Sequence, residues 1–528
     1  MPDALSMPSS RRFTIFLACY FVASVAFRLL RSDSFELDET EQILWAQVWL
    51  PGYSSQPPAY PYAVMLVFAL FGESVFSLVL LKYALVITSL FLYYRLAFVV
   101  FRKATVAEAA ALSLLLMPEV LWETQVDRAN SVMTLTLVVA GLYAFLFLLR
   151  DRRMGNYMVF GFIAGLGVLC KYNFVLFLGA LLAASLFFRD GRRAVLCRSM
   201  FLLVLPVGAV IVLPHALWFL QNTATATGTT VGKFRVATGG RMVGVLRGIA
   251  SLVGESIAFV TPMWIVLFAL TGAFKPVFTR NLFSRSYRRR FDFSAPFFDK
   301  GGDLDKRALA GLLELFYAIV YSVLLLLVIG FGLTHFIGRW FIVFLFSVPL
   351  YILLKADLDE RRERRLRGGF PIVVALVILV FAGLFARNYF PDAFGHYARL
   401  TYPFHALAEK MKAEGVDRNR LLLAESQLMA GNLKVHLDAA LAVTPDLQVV
   451  LREYENGRRK KPYRGALLVW QNGQSRERLL DVAERMGFTA ASGGEVHETE
   501  VLYRNSRVKK YKVFWQLFPK GPVEKPRH

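Results

Sequence analysis

Cysteine and acid are both in short supply. Only three cysteines occur in 528 residues, Cys19 and Cys170 in apolar segments and Cys197 in a basic loop. No disulfide framework is indicated. No small-residue cleavage site follows the first apolar run, which is therefore expected to stay as an anchor. A phosphate loop, a Cys-x-x-Cys pair, a His-Glu-x-x-His motif and an internal repeat are all missing, so nothing points to nucleotide hydrolysis, dithiol redox or zinc peptidase chemistry. Asp and Glu number 39 against 61 Lys and Arg, a formal charge of +22. That excess does not indicate nucleic acid, because the basic residues fall in short clusters between apolar runs, where they set membrane topology.

What is abundant is hydrophobic sequence, 56% of the chain. Apolar stretches recur near the roughly 20 residues needed to cross a bilayer. They lie at residues 13–30, 75–101, 106–117, 132–149, 157–170, 173–188, 200–220, 243–274, 309–331, 340–354 and 370–386. Arg11-Arg12, Arg102-Lys103, residues 150–153, 189–198, 275–307 and 355–367 are basic and all fall on one side, read as cytoplasmic. Residues 31–62, 118–130, 221–242 and 332–339 fall on the other. The expectation is a polytopic α-helical domain over residues 1–386 with roughly eleven to thirteen spans. The 221–242 segment reads as a polar, mobile outer loop. From Arg387 the pattern changes: residues 421–424, 466–470 and 501–503 read as short strands and 476–486 as an amphipathic helix. Residues 387–528 are therefore expected to form a small α/β domain, placed outside by parity.

The outer segments carry the candidate chemistry. The first crowds Glu36, Asp38, Glu39 and Glu41 against the membrane surface, where carboxylates are costly to desolvate. A carboxylate there can take the proton of an attacking hydroxyl. Asp38 with Glu41 also has the form of a capping box. The helix it would cap carries Leu44, Trp45, Val48 and Trp49 on one face, as an interface-lying helix should. The two roles are compatible. Asp127-Arg128 suits a local ion pair, or Arg128 faces a phosphate. Lys171 interrupts apolar sequence, either snorkelling to the interface or neutralising a lipid phosphate. Gly161-x-x-x-Gly165 before it predicts close helix packing. His335, Arg339 and Trp340 suit interfacial anchoring, or a cationic rim around an anionic headgroup. Lys233, Arg235 and Arg241 read as exposed loop charge that can also meet an anionic acceptor. An acid and several cations opening to one side suit a hydroxyl nucleophile and a phosphate leaving group.

Four motifs in order then resemble a known family. Leu37-Asp38-Glu39-x-Glu41-Gln42, Gln56-Pro57-Pro58-x-Tyr60, Leu169-Cys170-Lys171-Tyr172-Asn173-Phe174 and Thr334-His335-Phe336-x-x-Arg339-Trp340 are similar to those of the bacterial polyprenyl-phosphate-sugar glycosyltransferases. That superfamily includes protein O-mannosyltransferases and the lipid A aminoarabinose transferase, and the motifs look closest to the rhizobial lipopolysaccharide galacturonic acid transferases. The resemblance implies the GT-C fold in a bacterial inner membrane, a periplasm-facing cavity, a polyprenyl phosphate-linked sugar donor and a lipid A or lipopolysaccharide acceptor. It implies Asp38 as the base with Glu39 supporting it, and Lys171, Arg128, His335 and Arg339 around the donor phosphate. Gln56, Tyr60, Asp127, Asn130 and Tyr172 are then expected to contact substrate. No metal is required, since cations of the chain can serve, though an acid pair also suits Mg²⁺ or Ca²⁺. Two departures count against aminoarabinose. Gln56 stands where those transferases carry a Lys, and Asn130 near where many relatives carry an acid. Losing an acid fits a donor sugar that is itself acidic. Mannosylation of protein is the enzymatic alternative. A lipid-carrier flippase is the other, but it calls for inverted repeats that the chain lacks.

Overall fold

The computed structural model describes residues 10–53, 56–233, 240–272, 293, 296–299, 301–356, 358–455, 464–489 and 493–519. The basic run 275–290, with Arg285, Arg288, Arg289 and Arg290, lies outside these, as does Arg235. Seven described helices are long and apolar enough to cross a membrane: Arg11–Arg31, Val75–Phe101, Ala129–Arg150, Met200–Gln221, Arg241–Val260, Lys306–Phe331 and Glu360–Tyr389. Ala104–Leu114 and Glu119–Val126 would pass together but meet at a 69° bend. Ala59–Phe71, Met154–Cys170, Phe174–Ser185 and Ile342–Lys355 are shorter apolar helices.

Three expectations change. The second outer segment is helical rather than a loop: a π turn at Glu119–Glu123 runs into Thr124–Val126, and only Asp127 and Arg128 leave helical geometry. The supposed mobile loop begins as a helix, Thr223–Lys233, because its run of Thr and Ala does not break helical geometry. The 243–274 stretch is two helices, Arg241–Val260 and Met263–Thr271, parted at Thr261-Pro262, where proline supplies no N–H to the ladder.

Contacts divide the chain into two compact units. The first comprises Met1–Val22, Ser54–Ala59 and Lys82–Val380. Within it, a Cβ on Gly161 would lie 2.9 Å from the Val204 backbone and one on Gly165 3.2 Å from Gly208 Cα. The small-residue spacing thus does what it predicts: the Gly161 and Gly165 face lets the partner helix come close, its backbone at Val204 and Gly208 and the Ile211 side chain included.

The second unit comprises Ala23–Tyr53, Tyr60–Leu81 and Phe381–His528. Its five-stranded sheet has β1 Leu421–Ala424, β2 Leu441–Val443, β3 Gly465–Trp470, β4 Val496–Leu502 and β5 Lys510–Pro519, in the order β2-β1-β3-β5-β4. β1 pairs in parallel with β2 and β3, while β5 runs antiparallel to β3 and β4. The parallel strands are continuous apolar runs because both faces are covered. Leu422, Ala424, Leu467 and Val469 pack with residues of Phe404–Ala413 and Gln427–His436. Leu421, Leu423, Ala466 and Leu468 pack on the other face with Leu479, Val482 and Ala483.

The acidic segment after the first span belongs to this unit. Leu44 joins one core cluster, and Trp45, Val48, Leu50 and Tyr53 join the other. The expected interface-lying face is therefore corrected: it buries against the sheet, and only Trp49, 59% exposed, faces outward. Asn432, fully buried, reads the backbone of the segment. Its Oδ1 accepts from Phe35 N–H at 2.8 Å, and its Nδ2 donates to the Phe35 carbonyl at 3.2 Å. Gly431 makes the approach feasible, since a Cβ there would sit 2.5 Å from Thr40 Cβ. Asn432→Leu should cost about 2 kcal/mol by stranding both Phe35 groups, read as a lowered unfolding temperature in detergent. A change below about 0.5 kcal/mol would contradict the role assigned to Asn432.

Candidate active site

In the second unit, the Leu37–Trp45 helix starts two residues earlier than a cap at Asp38 allows. Glu36 is the N-cap, extended at φ −76° and ψ 171°, and the capping box joins Glu36 to Glu39, not Asp38 to Glu41. The reason lies in the preceding span. Arg28, fully buried, donates to Glu39 Oε2 at 2.7 Å, to the Ser32 carbonyl at 2.8 Å and to the Ser34 carbonyl at 2.9 Å. Glu39 Oε2 in turn accepts the Glu36 N–H at 3.0 Å. Glu39 is thus committed to holding the helix start. Asp38, one position earlier and about 100° around the helix, is half-buried. Tyr60 is buried in the Ala59–Phe71 helix of the same unit.

Burial, reinforced by Glu39 and opposed by Arg31, Arg28 and Arg399, raises Glu36 from 4.5 to about 7. Between these values the folded chain holds a proton that the unfolded chain has released, so this group's contribution to stability is lost as pH rises from 4.5 to 7. His436 moves oppositely: burial lowers it from 6.5 to about 4, so its share is lost as pH falls through that range. Glu36→Gln leaves the His436 dependence in place and removes the other. Relative to wild type, that variant should gain on the order of 2 kcal/mol in stability between pH 5 and pH 7.5. Unfolding temperatures at the two pH values measure this, and parallel shifts of both proteins would refute it.

In the first unit, the cations expected at a donor phosphate have definite surroundings. Lys171 lies in the turn between Met154–Cys170 and Phe174–Ser185, and its Nζ donates to the Arg339 carbonyl at 3.0 Å. Asn173 Nδ2 donates to the next carbonyl, Trp340, at 3.0 Å. The turn at residues 171–173 is thereby fastened to the Gly338–Trp340 turn, which brings Lys171 and Arg339 together. Burial first, and then Arg339, pushes the Lys171 ammonium down to about 8. Arg128, at φ 71°, meets Glu123 at 3.0 Å and Glu119 at 4.0 Å. Asp127 leaves helical geometry at ψ −135°, and the Arg128 guanidinium meets acids of the preceding turn.

Asn130 Nδ2 donates to Gln56 Oε1, joining two expected substrate residues. Asp127 is buried. The Tyr172 hydroxyl and His215 Nε2 are 3.1 Å apart. His335 is exposed, and Arg241 also faces outward.

Sequence reasoning missed Arg28, Glu119, Glu123, Glu255 and His215 as parts of these arrangements. Arg28 and Glu255 did carry a signal, a charge inside an apolar run. A Cβ on Gly338 would lie 3.1 Å from Glu119 Oε1 and 3.3 Å from Glu255 Oε2, so two carboxylates converge beside the Arg339 turn.

Paired cations beside carboxylates suit the binding of a phosphate-linked, hydroxyl-rich substrate. The family of dolichyl-phosphate-mannose-protein mannosyltransferases matches residues 55–218. Lipopolysaccharide core galacturonosyltransferase RgtB of Rhizobium johnstonii is 30% identical over 433 residues, 81% of this chain and 82% of that protein. RgtA of the same organism is 30% identical over 440 residues, 82% of each. Among solved structures, ArnT from Cupriavidus metallidurans bound to undecaprenyl phosphate is similar with a TM-score of 0.55 and 12% identity, over 96% of this chain and 98% of that one. At that identity the likeness speaks for the fold. The chain is a multi-pass membrane glycosyltransferase and belongs to the GT-C family that includes the rhizobial lipopolysaccharide core galacturonosyltransferases.

Proposed function

We propose that the protein transfers galacturonic acid, with inversion, from a polyprenyl phosphate carrier to lipid A or lipopolysaccharide core on the periplasmic side of the inner membrane. The observation that carries the reading is the Lys171–Arg339 pair, two cations held at one place by the Lys171 bond to the Arg339 carbonyl. Like charges held together this way favour an anion, and a phosphate diester is the anion that the carrier presents. Lys171 and Arg339, with Arg128 and His335, bind that phosphate and stabilise the charge growing on it as the sugar leaves. Asp38 takes the proton of the acceptor hydroxyl. Gln56, Tyr60, Asp127, Asn130 and Tyr172 line the substrates. Side-chain cations suffice for the chemistry, and Mg²⁺ or Ca²⁺ is not required by it.

The named relatives support galacturonic acid and a lipopolysaccharide core acceptor. The mannosyltransferase match over residues 55–218 favours a second reading, sugar transfer to protein. Incubating membranes with radiolabelled donor and separating lipid A, core and protein fractions distinguishes the two. Label in the core or lipid A is expected. Label in protein alone would replace this reading with the second.

A further inference from the structure

We propose that Glu119 and Glu255 form a clamp for hydroxyl groups of the transferred sugar, with Gly338 leaving the gap between them open. The inference rests on the reading of Lys171 and Arg339 as the phosphate site. Both carboxylates point at one place: a Cβ on Gly338 would contact Glu119 Oε1 at 3.1 Å and Glu255 Oε2 at 3.3 Å. Glu119 Oε1 faces the gap, and the other oxygen of the same carboxylate is not satisfied by the chain. The Glu119 side chain is 10% exposed, its Oε2 is buried without a hydrogen-bond partner, and Arg128 Nε approaches only to 4.0 Å. A buried acceptor in that condition is costly unless something donates to it.

The chemistry of the donor follows from the neighbours. A metal ion or an ammonium is disfavoured, because Arg128, Lys171 and Arg339 already face Glu119. Neutral O–H groups suit it better: they form short, charge-assisted bonds to carboxylates and bring no further charge. The position is also apt. Gly338 directly precedes Arg339 in the same turn, so a group held over Gly338 lies next to the proposed phosphate, where the first sugar ring of the donor must be.

Binding to two probes separates this clamp from the phosphate site: undecaprenyl phosphate alone, and undecaprenyl phosphate carrying galacturonic acid. Glu255→Gln and Gly338→Ala should each bind the bare lipid as wild type does and the sugar-bearing lipid at least tenfold more weakly. Gly338→Ala changes no charge and intrudes only where the carboxylates converge, while Glu255→Gln keeps the shape. Equal weakening toward both probes, or none toward either, overturns the clamp and leaves the phosphate reading standing. A wild-type protein that binds neither lipid sinks the phosphate reading, and the clamp with it.

Discussion

Asp38→Asn should lower the turnover of sugar transfer by about 10²- to 10⁴-fold, the range a positioned proton acceptor contributes. Expression and unfolding temperature should stay near wild type. The second half of that expectation comes from the geometry. The start of the Leu37–Trp45 helix is held by the Glu36 and Glu39 capping box and by the Arg28 bond to Glu39. The amide keeps the shape and removes the basicity. Turnover of purified protein with labelled donor checks this, and wild-type turnover in Asp38→Asn would remove Asp38 as the base. Glu39→Gln should behave differently, losing stability along with activity, because its carboxylate holds the helix start.

Arg28→Met should destabilise the fold by about 3–5 kcal/mol, the usual cost of stranding one member of a buried ion pair. Methionine fills much of the same volume but donates nothing. Glu39, 3% exposed, then keeps a buried charge, and the Ser32 and Ser34 carbonyls lose their donor. Arg28→Met with Glu39→Gln should recover part of the loss, since the stranded charge goes while the missing donors do not return. Denaturation of the four proteins in one detergent measures the coupling. Strict additivity would mean that the two side chains do not act as a pair.

Both experiments concern a segment whose chemistry was legible and whose support was not. Runs of apolar residues and the clustering of Arg and Lys dictate a multi-spanning helical chain, and the short-range pattern also marks β1 over residues 421–424 and the close helix contact at Gly161 and Gly165. Lys171 stood out because charge within apolar sequence demands compensation, and Arg339 because it sits beside Trp340 at the outer end of a span. β2 and β5 escaped notice. β2 is three residues long, and β5, Lys510–Pro519, mixes lysines with aromatics because one of its faces is exposed near its start.

Other features depend on residues far apart along the chain. Leu44, Trp45 and Val48 have the spacing of an apolar helical face, and spacing cannot say whether lipid or protein covers it. Here the sheet does, with Asn432 bonded to Phe35 almost 400 positions away. The capping residue moved from Asp38 to Glu36 because a buried guanidinium from the span before it claims Glu39, a contact no local rule encodes. The convergence of Glu119 and Glu255 on Gly338 likewise needs three separate elements folded together. Local physics sets which residues are apolar, charged or helix-forming, and so decides membrane insertion and the chemistry on offer. Only long-range packing chooses each charge's partner, because a buried charge is settled by whichever opposite group or donor the fold brings within about 3 Å.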